Sequence, residues 1–183
     1  RKISLLGGHA IHLPTIRITE PADWSACDDA IEALDDYDWI VISSTNGADY
    51  FFRRCSESGK SAQKPSIAAV GEKTADRVRE HGYEVDLVPP EYNAESLIGA
   101  FRKFDLQGKR VLWPTSDLLG DKLPEGLSSR GAAVTRIACY RTEKVGSGEA
   151  DKVWPLLVDD VVDCITFFSP SSFHSFLLIF EDK

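Results

Sequence analysis

The chain has 183 residues, 43% of them apolar, with 29 acidic side chains against 21 Lys and Arg and a formal net charge of −8. That length buries one ordinary core or two small ones, and no apolar run approaches the roughly 20 residues of a membrane span, so no membrane partner is expected. A negative balance without a Lys/Arg cluster also excludes the phosphate backbone of a nucleic acid as partner.

From the start, RKISLLGG reads as a helix closing at Gly8, with AIHLP as a strand after it. Residues 13–20, LPTIRITE, are short and β-prone. In DWIVISSTNGADYFF the apolar run 40–42 has the length of a strand buried on both faces. A polar break follows, and apolar positions 48, 51, 52 and 55 then keep the spacing of an amphipathic helix. Strands are predicted at 67–70 and 111–113, and helices near 74–81, 94–104 and 122–130. Gly82 and Gly131 stand where helices end and the strands YEVDLVP and AAVTRIACY begin. Residues 137–144, IACYRTEK, match 13–20 in β character.

The strand and helix at Asp38 then return as DCITFFSPSSFHSFL, from Asp163. Asp38, Ser44, Ala48 and Phe51 align in step with Asp163, Ser169, Phe173 and Phe176. A strand at 165–168 and a helix with 173, 176, 177 and 180 inward are predicted, with Pro170 suited to a first helical turn. The alternation of strand and helix defines an α/β fold with parallel sheets. The separation of the two copies points to two flavodoxin-like/Rossmann-like parallel-sheet domains joined by a two-stranded β-ribbon hinge, the chain crossing twice. The expected limits are 1–14 with 143–183 for a discontinuous first domain, incomplete at both ends, and 19–138 for an inserted, complete second domain. Residues 15–18 and 139–142 are the expected crossing strands.

Cys27, Cys55, Cys139 and Cys164 show no C-x-x-C spacing and no paired histidines, so neither zinc nor a redox pair is indicated. Reduced thiols on apolar faces fit a cytoplasmic setting. Ligands of open α/β sheets bind at the strand C-terminal ends, where helix N-termini face them. Ser43, Ser44, Thr45 and Asn46 offer hydroxyls and backbone N–H groups there, although capping alone accounts for the same residues. In IAAVGEKTADRV, Gly71 permits a tight turn and Thr74 falls in the first helical turn, a second anion cradle without the G-K-[ST] ending of a nucleotide P-loop. Ser169 and Ser171 form the corresponding cluster in the second copy. Tyr140, on a predicted crossing strand, offers a hydroxyl as hydrogen-bond donor or weak acid, or an aromatic ring for packing. No carboxylate pair and no Ser/His/Asp set stands out by spacing. The residues alone define a two-lobed binder of an anionic ligand.

Taken in order, HAIHLPTIRI, DWIVISSTNGADYFF, IAAVGEKTADRVREHGYEVDLVP, AESL, GKRVLWPTSD, RGAAVTRIACYRTE and DCITFFSPSS closely resemble the uroporphyrinogen-III synthase family. The resemblance covers nearly the whole chain and rests on order and spacing rather than on any single motif. It lacks the family's opening strand ending near an arginine and its closing second G-x-x-T loop.

The resemblance implies a lyase of tetrapyrrole (haem) biosynthesis. Such an enzyme takes hydroxymethylbilane, loses water, inverts the last pyrrole ring and closes the macrocycle to uroporphyrinogen III. It further implies no metal or organic cofactor and a small-molecule linear tetrapyrrole polycarboxylate as partner; a monomer is expected. Tyr140 would assist the departing hydroxyl. Ser43, Ser44, Thr74 and Ser169 would hold carboxylates, with Lys73, Arg17, Arg77 and Arg141 offsetting the charge. A non-enzymatic two-lobed binding or sensor protein for an anionic metabolite is the alternative. A receiver-like signalling domain would need acidic strand ends where this chain has serines.

Overall fold

The computed structural model describes residues 2–117, 120, 122–145, 148–167 and 170–181, with the backbone alone at 149, 170 and 171. The chain falls into two compact units, Arg1–Arg17 with Thr142–Lys183 and Ile18–Arg141.

The larger unit is an α/β sandwich. Its strands are β1 (Ile16–Thr19), β2 (Trp39–Ile42), β3 (Ser66–Ala69), β4 (Arg110–Ser116) and β5 (Ala133–Lys144), and the unit boundary falls inside β1 and β5. Its helices are α2 (Ser25–Glu32), α3 (Thr45–Glu57), α4 (Glu72–Glu80), α5 (Ala94–Ala100) and α6 (Lys122–Ser128), following a short α1 (Lys2–Leu5) in the other unit. The sheet order is β1-β5-β4-β2-β3, and β2 pairs in parallel with both β3 and β4, as β4 does with β5.

All four residues of β2 are buried, as a central strand covered on both faces requires. Alternation along the strands sends side chains to two separate cores. Ile40, Ile42, Ile67 and Leu112 pack with Cys27, Ile31, Phe51, Phe52 and Val78 of α2, α3 and α4. Trp39, Val41, Val111 and Trp113 pack with Leu97, Phe101, Leu123 and Leu127 of the opposite helical layer.

The predicted strand YEVDLVP is reduced to one parallel bridge, Ala68↔Leu87. Asp86 explains the interruption, because its carboxylate turns back to accept from Ile67 N–H at 2.7 Å in place of a regular ladder. With that bridge as outermost neighbour, β2 passes outward to β3 and Leu87, and the chain then returns to β4 on the other side of β2. Among the paired strands the order β3-β2-β4-β5 is the flavodoxin type, with its reversal between β2 and β4.

Asp38 ties the starts of three strands together. Its N–H donates to Arg110 O at 2.9 Å and its carbonyl accepts from Ser66 N at 2.9 Å. Its carboxylate accepts from Lys109 Nζ at 2.8 Å and Arg110 N at 2.9 Å. The Lys109 hydrogen bond, followed by that from Arg110 N–H, holds this carboxyl below the ordinary carboxylate range. A carboxyl depressed in the folded state contributes stability above its unfolded value of about 3.9, lost as pH falls through the folded value. Asp38→Asn should therefore lower the urea midpoint at neutral pH, and the gap from the parent should close in acid. Urea titrations at neutral and acidic pH measure it, and a constant gap would assign the loss to geometry rather than charge.

The smaller unit contains α1, α7 (Gly148–Val158) and α8 (Pro170–Ile179). α7 closes with Asp160 at φ 56 and Val161 N–H donating to Leu156 O at 3.1 Å, a left-handed stop that aspartate tolerates. Aromatic contacts join Trp154, Phe167, Phe173, Phe176 and Phe180.

The smaller unit departs from four expectations of the sequence. AIHLP has no regular structure, and α1 stops at Gly7, whose φ of 82 only glycine adopts readily, rather than at Gly8. Residues 165–167 form no strand and are exposed, while 168 lies outside the described residues. α8 is present, but it buries Ser175 and Ile179 and leaves Phe173 and Leu177 exposed, so its inward face is rotated from the one the apolar pattern marked.

Cys27, Cys55 and Cys139 are buried and Cys164 is exposed. Burial pushes the thiols of Cys27 and Cys55 up to about 12, and that of Cys139 upward as well. A thiol reagent should thus titrate Cys164 quickly in the native chain and the other three only in denaturant. Fast reaction of a second thiol would contradict the packing.

Candidate active site

The β2–β4 register runs Trp39↔Val111 and Ile40↔Leu112, and Pro114, which has no N–H to give, follows two residues later. The C-terminal ends of these two strands flank the order reversal, the usual ligand crevice of an open α/β sheet. Ser43, Ser44 and Gly71 follow β2 and β3 at that end, and Tyr140 sits near the C-terminal end of β5.

Ser44 is the N-cap of α3, with extended backbone and its Oγ accepting from Gly47 N at 2.9 Å. The same Oγ lies 3.1 Å from the Tyr140 hydroxyl. Tyr140 reaches it through a bulge. The register passes from Thr115↔Ala138 to Ser116↔Tyr140, so Cys139 is the extra residue that re-aims the tyrosine. The ring is 5% exposed and stands 5.9 Å from Tyr50. Gly47 is closely packed, since a Cβ there would lie 3.3 Å from Ser44 Oγ and 3.4 Å from Pro114 O.

Beside this pair is a concavity of about 250 Å³ lined by Ser43, Val70, Gly71, Glu72, Lys73, Thr74 and Tyr92. Gly71 precedes α4 with φ −169, a conformation open to any residue, so its role is not the tight turn that the sequence indicates. Instead, a Cβ there would fall 2.5 Å from the exposed Tyr92 ring. As N-cap it offers no side chain, so the first N–H groups of α4 remain available to an anion. Thr74 is buried in the first turn and Lys73 is exposed at the rim.

Thus Ser43, Gly71, Lys73 and Thr74 meet around one concavity, and Ser44 meets Tyr140. Thr45 and Asn46 form the half-buried first turn of α3 and are not among the described lining residues. Ser169 lies outside the described residues, and at Ser171 the backbone alone is described. Arg77 is engaged by Asp49 and Glu80, and Arg141 lies 3.6 Å from Asp117, so both cations already have acidic partners. Spacing did not single out Trp113, whose indole Nε1 donates to Ser43 Oγ at 3.1 Å. An apolar strand residue gives no such signal until the sheet order sets β4 beside β2.

Ser44→Ala should cost about 1 kcal/mol through the lost cap and release the Tyr140 hydroxyl. Ser44→Asp keeps a capping acceptor and should recover stability without recovering the tyrosine geometry. Urea denaturation of both variants measures the first effect.

Parallel sheet order, helices on both faces and a hydroxyl-lined crevice at the strand ends define an open-sheet α/β protein. The family model described as uroporphyrinogen-III synthase HemD matches residues 1–183, and the chain belongs to that family. It is 34% identical over 139 residues to the uroporphyrinogen-III synthase of Synechococcus elongatus, covering 74% of this chain and 52% of that one. It is 23% identical over 180 residues to the synthase of Chlorobaculum parvum, covering 96% and 71%. The chain thus spans about half the length of the Synechococcus relative. In fold it is similar to a crystal structure of mutant uroporphyrinogen III synthase from the extremely thermophilic bacterium Thermus thermophilus. The TM-score is 0.69 at 17% identity, over 96% of this chain and 69% of that one. Among the described residues no helix is long and apolar enough to cross a membrane.

Proposed function

We propose that the chain acts as a uroporphyrinogen-III synthase, closing hydroxymethylbilane to uroporphyrinogen III with inversion of the last pyrrole ring and loss of water. The observation that carries this reading is the family match over residues 1–183. The hydroxyl groups gathered at the sheet's order reversal support it. A flexible polycarboxylate held at several points along its length loses the freedom that favours uncatalysed closure. Ser43, Ser44, Thr45, Asn46, Gly71, Lys73, Thr74, Ser169 and Ser171 are the proposed holding residues, through hydroxyls, backbone N–H groups and one ammonium.

Tyr140 is the proposed proton donor. Hydroxide is a poor leaving group, and a phenol proton delivered to it lets water depart. Ser44 Oγ accepts from Gly47 N, and its own hydrogen can be given to the Tyr140 oxygen, which leaves the phenol proton for the substrate. Bond formation at the attacked ring carbon releases a proton that restores the phenol, so water is the only other product.

We further propose domain limits of 1–14 with 143–183 and 19–138, residues 15–18 and 139–142 being the crossings, and a cytoplasmic monomer that needs neither nucleic acid nor membrane. Hydroxymethylbilane generated in situ, followed by oxidation and separation of porphyrin isomers, tests the activity. An excess of type III over spontaneous type I is expected. Type I alone from the folded chain would instead indicate a protein that binds such a metabolite without converting it.

A further inference from the structure

We propose that Trp113 is a positioning residue for the same site: its indole N–H fixes the Ser43 hydroxyl as a hydrogen-bond donor to a ligand carboxylate. The inference rests on the polycarboxylate reading above.

An indole can only donate. At 3.1 Å from Trp113 Nε1, Ser43 Oγ must therefore be the acceptor of that bond, and its own hydrogen is directed away from the indole. Ser43 is half-buried and lines the concavity with Gly71, Lys73 and Thr74. With one of its two acceptor sites taken by the indole, that hydroxyl still has its hydrogen to give, which complements a carboxylate.

The indole cannot swing to another partner easily. Trp113 is 3% exposed, lies in β4 paired with Arg136 of β5, and carries the Arg136 guanidinium 5.4 Å from its ring centre. Its flanks pack into the core shared with Trp39, Leu97 and Phe101. The rotor of an isolated serine is free, whereas this one is restricted by a rigid donor on the neighbouring strand. The carboxylate hydrogen bond then forms with less ordering of the side chain.

Uroporphyrin III, a stable octacarboxylate, is the probe, titrated by porphyrin fluorescence against the full chain. Trp113→Phe keeps the ring and deletes the N–H, and is expected to weaken binding about fivefold; Ser43→Ala is expected to weaken it about tenfold. The double variant should bind no worse than Ser43→Ala, because the indole acts only through the serine. In the parent, the Trp113 indole N–H resonance should shift on adding probe, and should exchange faster with water in Ser43→Ala. That second measurement decides the matter if Trp113→Phe fails to fold. Parent binding with unchanged affinity in Trp113→Phe, fully additive losses, or an indole resonance indifferent to both probe and Ser43→Ala would each overturn the role of Trp113 while leaving the site intact. Absence of probe binding to the parent would overturn the inference together with the reading beneath it.

Discussion

Replacing Tyr140 by phenylalanine should lower the rate of type III formation on the order of a hundredfold, the low end of what a positioned proton donor supplies. The ring is nearly buried and packs beside Tyr50, so phenylalanine fills the same space and the fold should persist. Only the hydroxyl that meets Ser44 is lost. If that hydroxyl chiefly donates a proton in the step that expels water, kcat falls while affinity for uroporphyrin III changes little. If it chiefly holds a carboxylate, affinity falls and kcat is spared. Isomer-resolved kinetics on the variant separates the two, and full activity would remove Tyr140 from catalysis altogether.

Much of this site was legible because helix N-termini follow strand ends in a parallel α/β sheet, and a serine-rich break after an apolar run marks such an end. Ser44 emerged as a cap from that pattern, and Thr74 as a first-turn residue. What could not be read was lateral. The bulge at Cys139 that turns Tyr140 toward Ser44 depends on the register between β4 and β5, and no local spacing encodes it. Trp113 is one more apolar position until β4 lies beside β2. Gly71 lies at the concavity, but a tight turn is not what it supplies, since its extended backbone admits any residue and the close neighbour is the Tyr92 ring.

The repeat itself gives the sharpest contrast. Pattern alone equates Phe52 with Leu177, each placed on the inward stripe of a helix that follows a strand. Phe52 is 1% exposed, stacked 4.4 Å from Tyr83 over the buried β2, and Leu177 is 49% exposed. Periodicity specifies which side chains of a helix share a face, but burial requires a surface opposite that face. α3 has the β2 sheet, whereas the described residues 165–167 before α8 form no strand. Phe52→Ala is therefore expected to cost about 3–5 kcal/mol through lost transfer energy and an unfilled cavity. That is a large fraction of the roughly 5–15 kcal/mol that holds a domain folded. Leu177→Ala should stay within about 0.5 kcal/mol, as surface changes do. Urea midpoints of the two variants decide it. A large loss at Leu177 would mean that α8 buries the face its sequence marks, and that the two copies share one architecture after all.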